Sequence, residues 1–186
     1  QMANDLAALL DQLQIPQTYL AGHSMGGYVA LAFAHAYPER VLGMGLVGSQ
    51  AAADTPERKA ARSATAGQVA AEGVQAVLGM SEKLSADPNH VAFFRELIGR
   101  QRPAGVIGGL RAMAERPDAL AELPDFSFPI VLVHGLADAL IPVERSREMS
   151  AQLPQAILVE LPGVGHSPAQ EAPGETAETL KKLLKK

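Results

Sequence analysis

The chain has 186 residues, of which 47% are apolar and 19% are charged, and it carries a formal net charge of −4. This length allows one globular domain with a sizeable core, and a small negative charge without a basic field argues against nucleic acid as a partner. Cysteine is absent, which excludes disulfides and thiolate metal sites.

The sequence also bears on where the protein works. No apolar run approaches the roughly 18 residues that a membrane-spanning helix needs. The chain does not open with the basic segment and apolar core of a signal peptide. We therefore expect a soluble, cytoplasmic protein without a membrane partner. Gln1 precedes Met2, and we interpret Gln1 as the remnant of a tag and Met2 as the encoded start.

The N-terminal part alternates between helical and strand patterns. Leucines recur at helical spacing from Leu6 to Leu13 and predict a helix at 4–14, which Pro16 ends. Short apolar runs predict strands at 18–21 and 41–47, with a helix at 28–37 between them. A strand, a helix and a strand within about thirty residues form the βαβ unit of a parallel sheet.

The middle of the chain changes character. It is rich in Ala, Gly, Arg and Glu and contains no convincing strand. Proline and glycine divide it into helices predicted at 56–72, 73–80, 88–101, 103–115 and, briefly, near Asp118. An all-helical insertion between two strands is typical of a lid over an active site. We therefore predict a helical cap over residues 51–124.

Strand patterns return in the C-terminal part. Residues 129–134 contain a continuous apolar run that is mostly β-branched, as expected for a strand covered on both faces. A helix at 143–153, a strand at 156–161 and a helix at 174–184 follow. Residues 1–50 and 125–186 are therefore predicted to form an α/β core, a parallel sheet of about four strands flanked by helices.

A glycine-flanked serine lies between the first predicted strand and its helix. Gly22, Ser24 and Gly26 fit the G-x-S-x-G pattern, which holds a serine hydroxyl clear of the sheet on a sharp turn. We expect the two glycines to remove side chains that would clash in such a turn. The turn opens a helix, whose free N–H groups favour negative charge, so the Met25 N–H is a candidate oxyanion donor. Taken alone, the pattern also fits an ordinary Gly-Ser turn.

Two further polar residues follow predicted strands. Asp138 comes after the strand at 129–134, and His166 after the strand at 156–161. Because reactive groups of parallel sheets gather at the carboxyl ends of strands, Ser24, Asp138 and His166 are expected to meet there. Their order is that of hydrolases built on this serine turn. In isolation, Asp138 is equally consistent with a helix cap and His166 with a plain turn.

Four motifs are spread over the whole chain: Gly22-His23-Ser24-Met25-Gly26-Gly27, Pro38-Glu39-Arg40-Val41, His134-Gly135-x-x-Asp138 and Gly165-His166. Together they resemble the α/β-hydrolase superfamily, especially its small carboxylesterases. The resemblance implies that Ser24, Asp138 and His166 are the catalytic triad, that Met25 supplies one oxyanion N–H, and that the helical stretch is the cap. Serine at the nucleophile position disfavours the dehalogenase and epoxide hydrolase branches.

These observations lead to a functional prediction. We predict a serine esterase that cleaves small carboxylic esters through an acyl-enzyme, without a cofactor and without a metal, since no metal-ligand spacing occurs. His23, Leu140 and Ile141 are candidates for substrate binding. One alternative is another superfamily activity, such as a C–C bond hydrolase, a lactonase or a perhydrolase. The other is an inactive, truncated interaction module.

The chain departs from the family pattern at its start. Members usually carry several strands before the helix that leads to the serine, and a His-Gly loop there supplies the second oxyanion N–H. This chain begins at that helix, so the predicted strand from Thr18 to Ala21 becomes an exposed edge. Because an apolar edge strand invites pairing, we predict a homodimer or higher homo-oligomer in which a second copy covers it.

Overall fold

A computed structural model describes residues 1–85 and 87–184. The chain divides into two compact units. The first unit combines Gln1–Ala51 with Ala119–Lys186, and the second is Ala52–Asp118.

The elements alternate along the chain as follows. The strands are β1 (Thr18–His23), β2 (Val41–Val47), β3 (Ile130–Gly135) and β4 (Ile157–Leu161). The α-helices are α1 (Met2–Gln12), α2 (Met25–Ala36), α3 (Pro56–Glu72), α4 (Ser81–Leu84), α5 (Pro88–Gly99), α6 (Pro103–Glu115), α7 (Glu144–Gln152), α8 (Pro168–Glu171) and α9 (Pro173–Leu180). Short 3₁₀ helices span Pro38–Arg40, Gly73–Met80, Leu120–Asp125 and Lys181–Leu184.

The first unit is built on one parallel sheet. Its strands lie in the order β1-β2-β3-β4, and every neighbouring pair is parallel. The register pairs Met44 with Ile130 and Val133 with Val159, so the carboxyl ends of the strands meet along one edge. This confirms the predicted fold class, a four-stranded parallel sheet flanked by helices.

Both faces of the sheet are covered. Met44, Leu46 and Leu132 point into one apolar cluster, which also takes residues from α1, α2 and α7. Val131 and Val133, alternating with them along β3, point into a second cluster that includes Leu183. Every residue of β3 is buried, which explains the continuous apolar run from Ile130 to Val133.

Strand β1 lies at the end of the sheet. Within the described residues it pairs with β2 alone, and its Tyr19 remains 38% exposed. An apolar groove of about 270 Å³ lies beside it and includes Tyr19, Ala21, Leu180 and Leu184. The predicted homo-oligomer that covers this edge stays a prediction.

The second unit is helical, and no strand occurs among its described residues. Helices α3 and α6 pack together, and Val69, Val74 and Val77 form its buried centre. The Asp54 side chain, fully buried, is paired with Arg62 and lies 3.0 Å from Arg116 Nη1. The predicted role of this segment as a cap stays a prediction.

Several helix boundaries differ from those predicted. Residues 73–80 form a 3₁₀ helix, and α4 and α8 were absent from the prediction because four-residue helices leave no periodic pattern. The last helix begins earlier, at Pro173, a residue favoured in the first turn. No described helix is both long enough and apolar enough to cross a bilayer.

Candidate active site

Ser24 occupies the turn between β1 and α2 in a strained backbone conformation. Its φ is 52° and its ψ is −114°, a combination that L-residues rarely adopt. Backbone and side-chain hydrogen bonds hold it there: its N–H donates to Val47 O at 2.9 Å, and its carbonyl accepts from Ser49 Oγ at 2.9 Å. The surrounding structure thus imposes the strain on this residue.

Close backbone approach explains the glycines of the turn. A Cβ on Gly22 would lie 2.3 Å from Gly26 O, and one on Gly27 would lie 2.3 Å from Ser49 Oγ. A Cβ on Gly26 would meet no atom within 4 Å. In the first turn of α2 it is therefore Gly27 that cannot carry a side chain without a clash. The expectation that Gly26 prevents such a clash was wrong.

Asp138 lies in the turn that follows β3, and its carboxylate is fully engaged. Oδ1 accepts hydrogen bonds from the N–H groups of Leu140 and Ile141 at 2.8 and 2.9 Å. Oδ2 lies 2.7 Å from His166 Nδ1 and 3.4 Å from His134 Nε2. The side chain has no exposed surface. Burial raises the pKa of Asp138, but the hydrogen bonds from His134 and His166 outweigh it, so this pKa lies well below its usual range.

The contact with Asp138 sets the proton arrangement of His166. A charged carboxylate only accepts, so Nδ1 of His166 carries the proton, and Nε2 is the nitrogen left to act as a base. His166 is 1% exposed. Among the described residues, no hydrogen bond joins its ring to the Ser24 hydroxyl. Catalytic hydrogen bonds of this kind are commonly long in ligand-free proteins and shorten when substrate binds.

His23, the last residue of β1, contacts the loop that carries His166. Its Nε2 donates to the His166 carbonyl at 2.6 Å, and the two rings lie 5.0 Å apart. Although much of the residue is exposed, burial of the ring lowers the pKa of His23. The structure therefore places His23 against the His166 backbone, a contact that sequence reasoning did not anticipate.

His134 is a polar group that sequence reasoning left aside. It is fully buried, with Nε2 donating to Ile141 O at 2.8 Å and Nδ1 accepting from Ser146 Oγ at 2.7 Å. Both ring nitrogens are thus occupied by fixed partners. The ring supports the turn that carries Asp138, and its position in the His134-Gly135-x-x-Asp138 motif was the available signal.

The remaining predicted residues are placed as follows. Met25 is the first residue of α2, where amide groups have no acceptor within the helix. Leu140 is half-buried and Ile141 is buried, and both use their backbone N–H to hold Asp138. Their contact with substrate stays a prediction. No group of three or more His, Asp or Glu side chains able to hold a metal occurs in the described part of the chain.

Comparison with known proteins identifies the family of this chain. The chain matches the Alpha/beta hydrolase family over residues 2–179. It belongs to that family. The membership agrees with the resemblance carried by the serine and histidine motifs.

Three relatives of this α/β-hydrolase are informative. A thermophilic esterase from Thermogutta terrifontis is 35% identical with a TM-score of 0.92, over 98% of this chain and 70% of that one. A pimeloyl-[acyl-carrier protein] methyl ester esterase from Aromatoleum aromaticum is 27% identical over 96% of this chain and 78% of its own length. The dihydrolipoyllysine-residue acetyltransferase component of an acetoin cleaving system from Pseudomonas putida is 30% identical. The match covers all of this chain and half of that protein.

Proposed function

We propose that this α/β-hydrolase is a serine carboxylesterase that acts on small carboxylic esters. One observation carries the proposal: Oδ2 of the fully buried Asp138 side chain lies 2.7 Å from His166 Nδ1, at the carboxyl ends of the strands where Ser24 occupies its strained turn. This is the set of groups that acyl transfer requires: a hydroxyl nucleophile, a neutral imidazole with a free nitrogen, and a carboxylate that orients the ring.

The proposed reaction has two halves. Ser24 Oγ attacks the ester carbonyl while His166 Nε2 takes the hydroxyl proton, and that proton then goes to the departing alkoxide, which leaves as an alcohol. Water, deprotonated by the same nitrogen, attacks the acyl-enzyme and releases the carboxylic acid and Ser24. Asp138 stabilises the imidazolium in both halves, and the Met25 N–H donates to the oxyanion.

Electrostatics at Asp138 support this assignment of roles. Its lowered pKa keeps the carboxylate charged at neutral pH, so it can stabilise a positive charge on His166 without taking the proton itself. The amide groups of Leu140 and Ile141 hold the other oxygen, which prevents the carboxylate from rotating away.

The relatives support ester chemistry in particular. The Thermogutta protein is an esterase, and the Aromatoleum protein is a methyl ester esterase. Simple alkyl esters are therefore the first substrates to test on this chain. Methyl esters belong beside p-nitrophenyl esters in the panel, and a lactone serves as the comparison within the same chemistry.

Replacement of the nucleophile tests the proposal. Ser24→Ala should lower kcat for p-nitrophenyl butyrate at least about a thousandfold, since loss of a triad member removes most of the catalysis. Ser63→Ala, at an exposed serine of α3, is the matched control and should retain activity. A fluorophosphonate probe should label Ser24 in the wild type. Retained hydrolysis in Ser24→Ala, or a folded wild type that is neither labelled nor active, would contradict the proposal.

A further inference from the structure

The carboxylate of Glu171 accepts hydrogen bonds from the backbone on both sides of His166. Its Oε2 accepts a hydrogen bond from the Gly165 N–H at 3.0 Å, and its Oε1 accepts one from the Ser167 N–H at 3.1 Å. These two amides lie immediately before and after His166. One side chain thus fixes the backbone on both sides of the proposed general base.

Glu171 reaches this position because the chain reverses directly after the loop. Helix α8 begins at Pro168, and the Glu171 N–H donates to Ser167 O at 3.0 Å. The buried Thr176 then ties α8 to α9 through a 2.9 Å hydrogen bond from its Oγ1 to Pro168 O. These hydrogen bonds hold in place the backbone that carries the Glu171 side chain.

The loop that carries His166 is also closely packed on its other sides. A Cβ on Gly135 would lie 2.2 Å from both Val164 O and Gly165 O, so the loop rests directly on the end of β3. A Cβ on Gly165 would lie 3.1 Å from Glu171 Oε1. On the remaining side, His23 Nε2 donates to the His166 carbonyl.

We propose that Glu171 is a positioning residue, whose carboxylate fixes the His166 backbone so that the imidazole keeps its hydrogen bond to Asp138 and aims Nε2 at the reacting hydroxyl. Its catalytic consequence rests on the proposed esterase function. Two charge-assisted hydrogen bonds donated to one carboxylate are stronger than bonds between neutral groups. The carboxylate is therefore suited to hold a ring whose placement tolerates only about half an ångström of error.

Substitution of Glu171 separates positioning from general stability. Glu171→Ala should lower kcat for p-nitrophenyl butyrate about 10- to 100-fold with KM nearly unchanged, since misplacement by 1 Å can cost about a hundredfold. Glu171→Gln keeps one carbonyl acceptor and should lose less. Glu175→Ala removes the same charge from an exposed position in the first turn of α9 and is the matched control.

A spectroscopic readout makes the test specific. The proton on His166 Nδ1, held by Asp138, should give a far-downfield NMR resonance that Asp138→Asn abolishes. Glu171→Ala should shift or broaden that resonance, whereas Glu175→Ala should leave it in place. If Glu171→Ala does not fold, Glu171→Gln carries both measurements.

The outcomes distinguish this proposal from the proposed function. If Ser24→Ala abolishes hydrolysis while the folded Glu171 variants keep wild-type kcat and an unchanged resonance, the positioning role is refuted and the esterase stands. If Ser24→Ala retains hydrolysis, the esterase proposal fails and the resonance alone decides. An unchanged resonance in Glu171→Ala then overturns the positioning role, and a shifted one supports it.

Discussion

Backbone strain at Ser24 makes a quantitative prediction about stability. The residue holds a φ of 52° and a ψ of −114°, which glycine adopts freely and other residues do not. Such a conformation costs on the order of 1–3 kcal/mol. Ser24→Gly should recover this energy, whereas Ser24→Ala keeps a Cβ and should not. Both substitutions remove the proposed nucleophile.

The expected gain in the free energy of unfolding is the strain energy minus the entropic cost of a more flexible unfolded chain. Introducing glycine costs about 0.4–1 kcal/mol through the unfolded state. The hydrogen bonds of the Ser24 backbone to Val47 and Ser49 do not involve its side chain and are retained. Ser24→Gly should therefore be about 1 kcal/mol more stable than Ser24→Ala, a rise in Tm of roughly 2–4 °C for a chain of this size.

Thermal and urea unfolding followed by circular dichroism measure this difference. Gln14 provides a control, since it is the other described non-glycine residue with positive φ, at 56°, and it is exposed two residues beyond the end of α1. Gln14→Gly should also be more stable than Gln14→Ala, but without loss of ester hydrolysis. A Ser24→Gly protein no more stable than Ser24→Ala would refute the argument that the turn stores strain.

Three further outcomes are expected. His23→Ala should lower kcat about tenfold, with KM nearly unchanged and partial recovery in His23→Gln, because the lost donor holds His166; a rise in KM alone would instead support the predicted substrate contact. Because folding lowers the pKa of Asp138, its stabilising contribution is complete above the unfolded value of about 4 and is lost as pH falls below it. The stability difference between wild type and Asp138→Asn in urea unfolding should therefore shrink from pH 6 to pH 3, and a constant difference contradicts this. Light scattering should give a homodimer or larger assembly that Tyr19→Lys, on the open edge, disrupts; a monomeric wild type refutes the predicted oligomer.

The sheet could be predicted from the sequence because each strand is marked by residues that are adjacent in the chain. Strand β3 begins with a continuous apolar run from Ile130 to Val133, and the short apolar runs of β1 and β2 lie on either side of a helix that glycine and proline delimit. The same locality explains the candidate site, since Ser24, Asp138 and His166 each lie within five residues of the end of a strand. Parallel strands bring such positions to one edge whatever the details of packing.

Contacts between distant side chains could not be predicted in the same way. Glu171 is an unremarkable acidic residue in the sequence, and only the reversal at Pro168 turns its carboxylate back toward Gly165. His23 was predicted only as a candidate for substrate binding, and its hydrogen bond to a carbonyl 143 positions away could not be foreseen. Such pairings depend on loop conformation, which neither periodicity nor turn propensity specifies.

The two halves of the proposed site are joined at the end of β2. The Ser24 N–H donates to the carbonyl of Val47, the last residue of β2. Gly48, which follows Val47, donates its N–H to Val133 O of β3 at 2.9 Å. Gly48 has a φ of 52°, and a Cβ there would lie 3.1 Å from the His166 carbonyl. The strand that fixes the nucleophile turn thus also limits how closely the histidine loop approaches it. Within the described sheet β1 pairs with β2 alone, so this segment, together with the His23 hydrogen bond to the His166 carbonyl, sets the separation of Ser24 from His166.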